Sequence, residues 1–341
     1  MKKNYILIIA FVLSGLISKA QDISALFAQL DSSVVIIKVV ESQTKGDGNV
    51  NDKVSYGALG SGVLIDKSGK ILTAAHVVNN ADEIQVIFRD GQILKAKVTS
   101  LSRQADIAVI KTMGVIKNPK PAKMGNSDNT KIGDQIMIIG SPMELYHSLS
   151  VGYISRKETE KQMTSDFKAL EFFQTDASIN TGNSGGPMFN MDGEVIGIVS
   201  SILSRSGGFE GIGFVATINI IKDLLLEKSN TWLGVDVVFL YGPLAIAFNV
   251  PQDGGILIQN VTKGSPAYYM GLKGGFIKST IAERKIVIGG DIVLSIDGYK
   301  FDSAKNVEKA VNYLNSLEKG KTYTLKVLRA GKLLDLKWTI K

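Results

Sequence analysis

The amino-acid sequence predicts a mostly β, turn-rich fold. The chain holds 35 glycines against seven prolines, and its aliphatic runs have the length of strands rather than of amphipathic helices. Turn signals such as Asp90-Gly91 and Asp192-Gly193 join several of these runs. Because helices do not alternate with the strands, a parallel α/β sheet is disfavoured, and antiparallel barrels or sandwiches are favoured.

The length of the chain predicts two packed domains. A single hydrophobic core usually stops growing at about 250 residues, and this chain has 341 residues with 45% apolar content. A helical stretch from Ile218 to Lys228 ends at Ser229-Asn230, which we take as the boundary. The rest of the chain combines short strands with one amphipathic helix, Ser303 to Leu317, and predicts a separate small α+β domain. We therefore divide the chain into residues 1–20, 21–229 and 230–341.

Residues 1–20 have the pattern of a signal peptide. Lys2 and Lys3 precede an apolar run from Tyr5 to Ile17, and Ser18-Lys19-Ala20 places small residues where a signal peptidase cuts. The apolar run is shorter than the ~20 residues that cross a bilayer as a helix. We expect cleavage near Ala20 and a periplasmic or otherwise secreted protein. The alternative is an uncleaved segment that anchors the protein in the membrane.

The composition excludes several kinds of chemistry. The chain has no cysteine, so disulfides, a thiol nucleophile and thiolate metal sites are excluded. Loss of Lys2, Lys3 and Lys19 with the leader lowers the formal net charge from +7 to +4 (36 basic against 32 acidic residues), which is too mild and too dispersed to indicate a nucleic-acid partner. We expect neither a metal nor another cofactor. We also expect no stable insertion into a membrane unless the N-terminal segment is retained.

The expected order of elements begins with a short helix, for which Asp22 is the predicted N-cap. Its apolar stripe has spacings of three and four and needs a surface to cover it: Ile23, Leu26, Phe27 and Leu30. The strands expected next are Val34 to Val40, Gly62 to Ile65, Lys70 to Thr73, Ile84 to Phe88, Ile93 to Val98, Ile107 to Lys111, Gln135 to Ile139, Val151 to Ser155 and Glu194 to Ser200. Those expected in the second domain are Gly255 to Gln259, Ile292 to Ile296, Thr322 to Leu328 and Lys332 to Thr339.

Two polar residues stand where predicted strands end or begin. His76, one of only two histidines, follows Thr73-Ala74-Ala75 at the end of a strand, which presents the imidazole at a strand–loop junction. Asp106 precedes the apolar strand that starts at Ile107. A carboxylate at the start of a buried strand costs free energy unless it has a hydrogen-bond partner, and an imidazole N–H is a suitable partner. The pattern predicts a pair formed by His76 and Asp106.

The most specific motif is Gly182-Asn183-Ser184-Gly185-Gly186-Pro187. Glycines on both sides of the serine let the backbone fold tightly, so we expect an oxyanion hole in Gly182, Asn183 and Ser184, with its amides from Gly182 and Ser184. Ser184 would be the nucleophile, His76 its base, and Asp106 the residue that orients the imidazole. The chain order His, Asp, Ser is that of chymotrypsin-type serine proteases.

Each of these motifs has a structural alternative. Alone, His76 could be a surface histidine, Asp106 a turn residue at a strand edge, and the glycine-rich segment a turn. Their occurrence together, in this order on a β background, favours the catalytic interpretation. The second histidine, His147, lies in a polar loop with no acid-bearing strand beside it, and we interpret it as a loop residue.

The motifs resemble those of the HtrA/Deg family of ATP-independent quality-control proteases. The resemblance covers about residues 22–341 and rests on four segments: Thr73 to Val78, Asp106 to Lys111, Gln174 to Ala177 and Gly182 to Pro187. It implies two perpendicular six-stranded barrels with the catalytic side chains in the cleft between them. It also implies a primary specificity pocket lined by the segment from Ile198 to Ile202.

The residues expected at the specificity pocket are Ser178, Ile198, Ser200 and Ile202. Ser178 lies six residues before Ser184, and if it stands where trypsin-like enzymes carry their aspartate, the pocket has no fixed negative charge. A desolvated Arg or Lys would then lack a partner. We expect small aliphatic residues before the scissile bond.

The last domain resembles a bacterial-type PDZ domain in the segments Thr231 to Val235, Gly264 to Ala267 and Gly289 to Gly298. Such a domain adds a peptide strand to a sheet edge and caps the peptide's C-terminal carboxylate with backbone amides. The residues expected at the groove are Trp232, Leu233, Gly234, Val235, Val307, Val311 and Leu314. The alternative is that these apolar residues only pack the core. The segment Leu272 to Ile288 is an insertion relative to the family pattern.

The sequence thus predicts a serine endoprotease that cleaves misfolded or signalling proteins outside the cytoplasm and binds C-terminal peptides at its PDZ domain. The family resemblance implies a homotrimer, which could cover the apolar stripe of residues 23–30. An alternative keeps the fold but makes PDZ-based capture the main task, with chaperone-like holding and little turnover. A third interpretation, a purely structural exported β protein, leaves the three motifs unexplained.

Overall fold

The computed structural model describes residues 22–44, 53–79, 81–103, 105–141, 147–160, 170–202, 210–226, 233–281 and 284–340. The predicted signal peptide and Trp232 lie outside these ranges. Within them, no helix combines the length and the apolar character that crossing a membrane requires.

Helix α1, Ile23–Leu30, opens the described chain. The Asp22 carboxylate accepts hydrogen bonds from the backbone N–H groups of Ser24 at 3.0 Å and Ala25 at 3.2 Å, so the predicted helix and its N-cap are confirmed. Leu30 is buried in the core between the two barrels, and the other members of the apolar stripe are partly buried against it. The stripe therefore packs on the chain's own core.

The first barrel closes through strand order β1-β2-β3-β6-β5-β4, with β1 pairing β4. Its strands are β1 (Val34–Thr44), β2 (Lys53–Leu64), β3 (Lys70–Ala74), β4 (Glu83–Ile87), β5 (Ile93–Ser102) and β6 (Ile107–Thr112), and helix α2 (Ala75–Val78) follows β3. Val35 and Ile37 pack inside the barrel while Val34 packs between the barrels. Burial on both faces explains the unbroken apolar run of β1.

The second barrel closes through the order β11-β8-β9-β10-β13-β12, with β12 pairing β11. Its strands are β8 (Gln135–Gly140), β9 (Ser148–Glu160), β10 (Leu170–Thr175), β11 (Pro187–Asn190), β12 (Glu194–Ile202) and β13 (Gly213–Thr217). A short strand β7 (Lys123–Met124) adds to β12 in parallel, and helix α3 (Ile218–Ile221) continues as a π-turn over Lys222–Leu226. The predicted pair of six-stranded antiparallel barrels is confirmed.

The last sheet has the order β14-β15-β18-β20-β21, with β19 added to β18. Its elements are β14 (Val235–Tyr241), α4 (Pro243–Ala247), β15 (Gly254–Val261), α5 (Pro266–Met270), β18 (Ile292–Ile296), β19 (Tyr299–Lys300), α6 (Ala304–Ser316), β20 (Thr322–Arg329) and β21 (Lys332–Thr339). Helix α6 is the amphipathic helix that the sequence predicts, and the hydroxyl of Ser303 caps it.

The insertion at residues 272–288 forms a separate hairpin of β16 (Ile277–Ile281) and β17 (Arg284–Ile288). One side chain attaches the hairpin to β15. The Gln259 amide donates to the Val287 carbonyl at 2.9 Å and accepts from the Val287 N–H at 2.6 Å. The side chain thus binds this part of β17 as a neighbouring strand would.

Candidate active site

His76 and Asp106 lie together because β3 and β6 are neighbours. The antiparallel pairing sets Ala74 opposite Ile107, so the residues that follow β3 lie beside the residue that precedes β6. The Asp106 carbonyl accepts from the Ala75 N–H at 3.0 Å. Its carboxylate accepts from the His76 backbone N–H at 3.0 Å, and Asp106 Oδ2 lies 2.8 Å from His76 Nδ1. The structure therefore brings this predicted pair together.

The Asp106 backbone adopts a φ of 53°, in the left-handed region that disfavours residues with a Cβ. The hydrogen bonds to Ala75 and His76 hold it there. A further bond comes from the second barrel, where the buried Ser200 hydroxyl donates to Asp106 Oδ2 at 2.7 Å. Ser200, which the sequence predicts in the specificity pocket, thus has its hydroxyl on the carboxylate that orients the histidine.

The hydrogen bond between the side chains selects one tautomer of His76. An ionised carboxylate only accepts hydrogen bonds, so Nδ1 of the neutral imidazole carries the hydrogen that faces Asp106. Nε2 is then left with a free lone pair. Because half of the His76 side-chain surface is exposed (51%), a molecule from solution can reach the ring.

The Ser184 loop packs against β2 and against the end of β3 that precedes His76. The Ser61 N–H donates to the Ser184 carbonyl at 2.8 Å, and Gly60 is in close contact with both the Ser184 carbonyl and Val77. Among the hydrogen bonds of the described residues, none joins the Ser184 hydroxyl to His76. These backbone contacts place the Ser184 loop next to the helix that carries His76.

The backbone amides of the Ser184 loop differ in what they bind. The Asn183 N–H donates to the Asn180 carbonyl at 3.0 Å, so it is already used within the loop. Within the described part of the chain, the N–H groups of Gly182 and Ser184 have no such acceptor. The Gly182 and Ser184 amides, which the sequence analysis expects as donors, are thus open, whereas the Asn183 amide is bound within the loop.

The residues predicted for the specificity pocket do not form one surface. Ser178 is exposed, but Ile198 is 0% exposed within the core between the barrels and lines no open pocket. The Ile202 side chain lies outside the described residues. The neighbouring Ile179 is 3% exposed and packs in the core of the second barrel, against Gly213.

In the last domain, β14 pairs only with β15 among the described strands, so its other edge is free. The Thr262 N–H donates to the Gly234 carbonyl at 2.8 Å, which makes Val235 and Val261 a non-hydrogen-bonded pair. The N–H and C=O of Val235 therefore point to the free edge. The other predicted groove residues divide between the core and the surface: Leu233, Val307 and Leu314 are partly buried, and Val311 is exposed.

Arg103 joins the free edge of β14 to the part of the chain between His76 and Asp106. Its Nη2 donates to the Val235 carbonyl at 2.7 Å, and its guanidinium also contacts the Asp236 carboxylate. Asn79 Oδ1 accepts from the same guanidinium at 2.9 Å, and the Asn79 carbonyl accepts from the Thr262 hydroxyl at 2.9 Å. Arg103, three positions before Asp106, and Asn79, three positions after His76, thus contact the last domain.

The second histidine is not a solitary loop residue. His147 Nδ1 lies 2.5 Å from Oδ1 of Asp31, whose other carboxylate oxygen accepts from Arg89 at 2.6 Å. Both Asp31 and His147 have side chains exposed by less than a tenth. His147 lies in a turn before β9, as the sequence analysis interpreted it, but that analysis missed its acidic partner, because Asp31 comes from a distant part of the chain.

Comparisons with known proteins agree with this architecture. Residues 60–198 match the family model of a trypsin-like peptidase domain, and residues 232–340 match that of a PDZ domain. A probable periplasmic serine endoprotease, DegP-like, of Halomonas elongata is 36% identical over 289 residues, which are 83% of this chain and 56% of that protein. The protein of the same name from Chlamydia pneumoniae is 36% identical over 287 residues, 82% of this chain and 54% of its own length.

Solved structures give the same result along most of the chain. A variant of the HtrA-type protease AlgW with a decapeptide superposes with a TM-score of 0.54 at 27% identity, covering 93% of this chain and 96% of that one. AlgW itself with a decapeptide gives a TM-score of 0.51 at 26% identity, with coverages of 93% and 97%. The chain spans little more than half the length of the curated relatives. With a trypsin-like peptidase domain followed by a PDZ domain, it belongs to the HtrA/Deg family.

Proposed function

We propose that the chain is an ATP-independent serine endoprotease that cleaves misfolded or signalling proteins in the periplasm or another extracytoplasmic compartment. The observation that carries this proposal is the 2.8 Å contact between His76 Nδ1 and Asp106 Oδ2, because it leaves Nε2 as a base next to the Ser184 loop. The relatives are named as probable periplasmic serine endoproteases, which supports the compartment, as does the signal-peptide pattern of residues 1–20.

In the proposed reaction, Ser184 Oγ attacks the carbonyl carbon of a peptide bond while His76 Nε2 takes the hydroxyl proton. The amides of Gly182 and Ser184 stabilise the negative oxygen of the tetrahedral intermediate. The C–N bond then breaks, His76 gives its proton to the leaving amine, and an ester on Ser184 remains. Water attacks this ester by the same route and restores the serine. Side chains, amides and water suffice for every step.

Replacing Ser184 with Ala should abolish cleavage, with a loss of kcat on the order of 10⁶, since removal of the nucleophile disables all three residues. Asp106→Asn should lower kcat by about 10⁴-fold, because the amide favours the wrong tautomer of His76. The measurement is the cleavage rate of denatured casein by the purified full chain. The matched control is Ser155→Ala, which removes a hydroxyl from an exposed serine on β9 and should leave the rate unchanged.

The same experiment separates the protease from the alternative of PDZ-based capture. If wild-type protein retains casein without cutting it, and Ser184→Ala behaves identically, the chain is a capture module. Cleavage that persists in Ser184→Ala would instead mean that another residue is the nucleophile.

We propose that the specificity pocket accepts small aliphatic residues. The support is Ser178, an exposed serine where trypsin-like enzymes carry an acid, since a desolvated cation would find no partner there. Cleavage sites in casein, mapped by mass spectrometry, should cluster after Val, Ala and Ile. A clear preference for Arg or Lys would refute this proposal and would require an acidic residue at the pocket.

We propose further that the PDZ domain binds C-terminal peptides along the free edge of β14, with the carboxylate on the amides around Leu233 and Gly234. A peptide added to this edge needs the Val235 carbonyl as its acceptor. Arg103 already donates to that carbonyl at 2.7 Å. Peptide and Arg103 therefore compete for one atom, and binding has to displace the arginine.

Replacing Arg103 with Ala in the full chain should tighten the affinity for a peptide with an apolar C-terminal residue by about three- to ten-fold, the equivalent of ~1 kcal/mol. Calorimetric titration measures the Kd, and the same peptide with an amidated C-terminus should bind more weakly to both proteins. Arg156→Ala, which removes an exposed arginine from β9, is the control. Equal affinity of Arg103→Ala and wild type would rule out the competition.

We propose that the protein assembles as a homotrimer, as the family resemblance implies. Ile23, Leu26 and Phe27 are only partly buried by their own core, and repeated head-to-tail contacts usually close into a ring. Light scattering at micromolar concentration should give about three times the mass of the mature chain, and Phe27→Ala should lower it. A monomeric wild type would contradict the trimer, and Phe27→Ala would then reduce thermal stability alone.

A further inference from the structure

Ser61 is a buried serine to which sequence analysis assigned no role. It lies near the end of β2 in the first barrel and is 0% exposed. All of its polar atoms are bonded, and three of the bonds reach the second barrel. Its N–H donates to the Ser184 carbonyl at 2.8 Å, its hydroxyl donates to the Gly182 carbonyl at 2.7 Å, and that hydroxyl accepts from the Ser141 N–H at 3.0 Å.

These bonds hold alternate peptide groups of the Ser184 loop. In the peptide that joins Gly182 to Asn183, Ser61 Oγ binds the carbonyl and the Asn180 carbonyl binds the N–H. In the peptide that joins Ser184 to Gly185, the Ser61 N–H binds the carbonyl and the Val199 carbonyl binds the N–H at 2.8 Å. The peptide that joins Asn183 to Ser184 lies between these held groups, and its own carbonyl accepts from the Gly186 N–H at 2.8 Å. The peptide that carries the Gly182 amide lies before them. Ser61 thus binds the peptide that directly follows each of the two open amides.

The conformation of the loop needs such a contact from outside. Gly182 has a φ of 101°, and a glycine without a Cβ can rotate away from this value at little cost. The local sequence alone therefore leaves the Gly182 peptide free to turn. The Ser61 hydroxyl has a single hydrogen, which it gives to the Gly182 carbonyl, and its orientation is fixed in turn by the Ser141 amide.

We propose that Ser61 is a positioning residue for the oxyanion hole: its hydroxyl holds the Gly182–Asn183 peptide across the boundary between the barrels, so that the Gly182 and Ser184 amides converge on one point. The inference rests on the proposed protease function and extends it to a residue outside the triad. An interaction made with the oxyanion matters in the transition state and little in the ground state. Loss of the hydroxyl should therefore lower kcat and leave KM nearly constant.

The test uses the full chain and a quenched fluorescent peptide built on a cleavage site mapped in casein. Ser61→Ala should lower kcat by about 10- to 100-fold, below the 10²–10³ cost of deleting an oxyanion donor outright, with KM within about two-fold. The affinity for a peptide boronic acid, which mimics the tetrahedral intermediate, should fall by the same factor as kcat/KM. A purely structural role of Ser61 would not produce this parallel loss.

The matched control is Ser33→Ala. Ser33 lies beside the same barrel, is 4% exposed, and donates its hydroxyl to the Leu30 carbonyl at 2.7 Å. Ser33→Ala should lower the thermal stability about as much as Ser61→Ala does, and it should leave kcat and boronate affinity unchanged. Ser61→Cys keeps a similar volume with a weaker donor. Its kcat should fall between those of wild type and Ser61→Ala, and this variant carries the test if Ser61→Ala does not fold.

Retention of wild-type kcat and boronate affinity by Ser61→Ala, or by folded Ser61→Cys, would overturn the role of Ser61 while the protease function stands. A uniform rise in KM with constant kcat would also overturn it, because substrate binding rather than the oxyanion would then depend on Ser61. If wild-type protein cleaves nothing and Ser184→Ala behaves identically, the protease function itself fails, and the role of Ser61 fails with it.

Discussion

The close approach of Gly185 to the end of β3 is the constraint on which the rest of the site depends. A Cβ at Gly185 would lie 2.2 Å from Thr73 Oγ1 and 2.7 Å from the Ala74 nitrogen, so no other residue fits without a shift of the backbone. The φ of 83° at this position also favours glycine. Because Ala74 immediately precedes the helix that carries His76, this contact sets the separation of the serine loop and the histidine, which stand on different barrels.

The polar contacts of the site cross the boundary between the barrels. Ser200 reaches Asp106 from β12, and Ser61 reaches the Ser184 loop from β2. Both serines are buried and lie next to an apolar core shared by the two barrels. In such surroundings hydrogen bonds are stronger than in water, and an unpaired polar group is costly. The geometry of His76, Asp106 and the Ser184 loop is therefore a property of the packed pair of barrels and of neither barrel alone.

The PDZ domain contacts the peptidase domain next to this geometry. Asn79 and Arg103 lie between His76 and Asp106 in sequence, each three positions from one of them, and they bind Thr262, just after β15, and Val235, at the start of β14. The residue that binds the free edge of β14 is thus three positions before Asp106 in the chain.

The sequence by itself determined the elements and motifs whose signals are local. Asp22 and Ser303 cap the predicted helices, and the His76, Asp106 and Ser184 segments were identified from their own neighbours. The tertiary structure alone decided which residues support them. Ser200 binds Asp106 from 94 positions away, and His147 binds Asp31 from 116 positions away. Ile198 faces a core instead of a pocket. Such contacts depend on how the two barrels pack. The sequence pattern of one strand does not indicate which side chains of a distant segment will contact it.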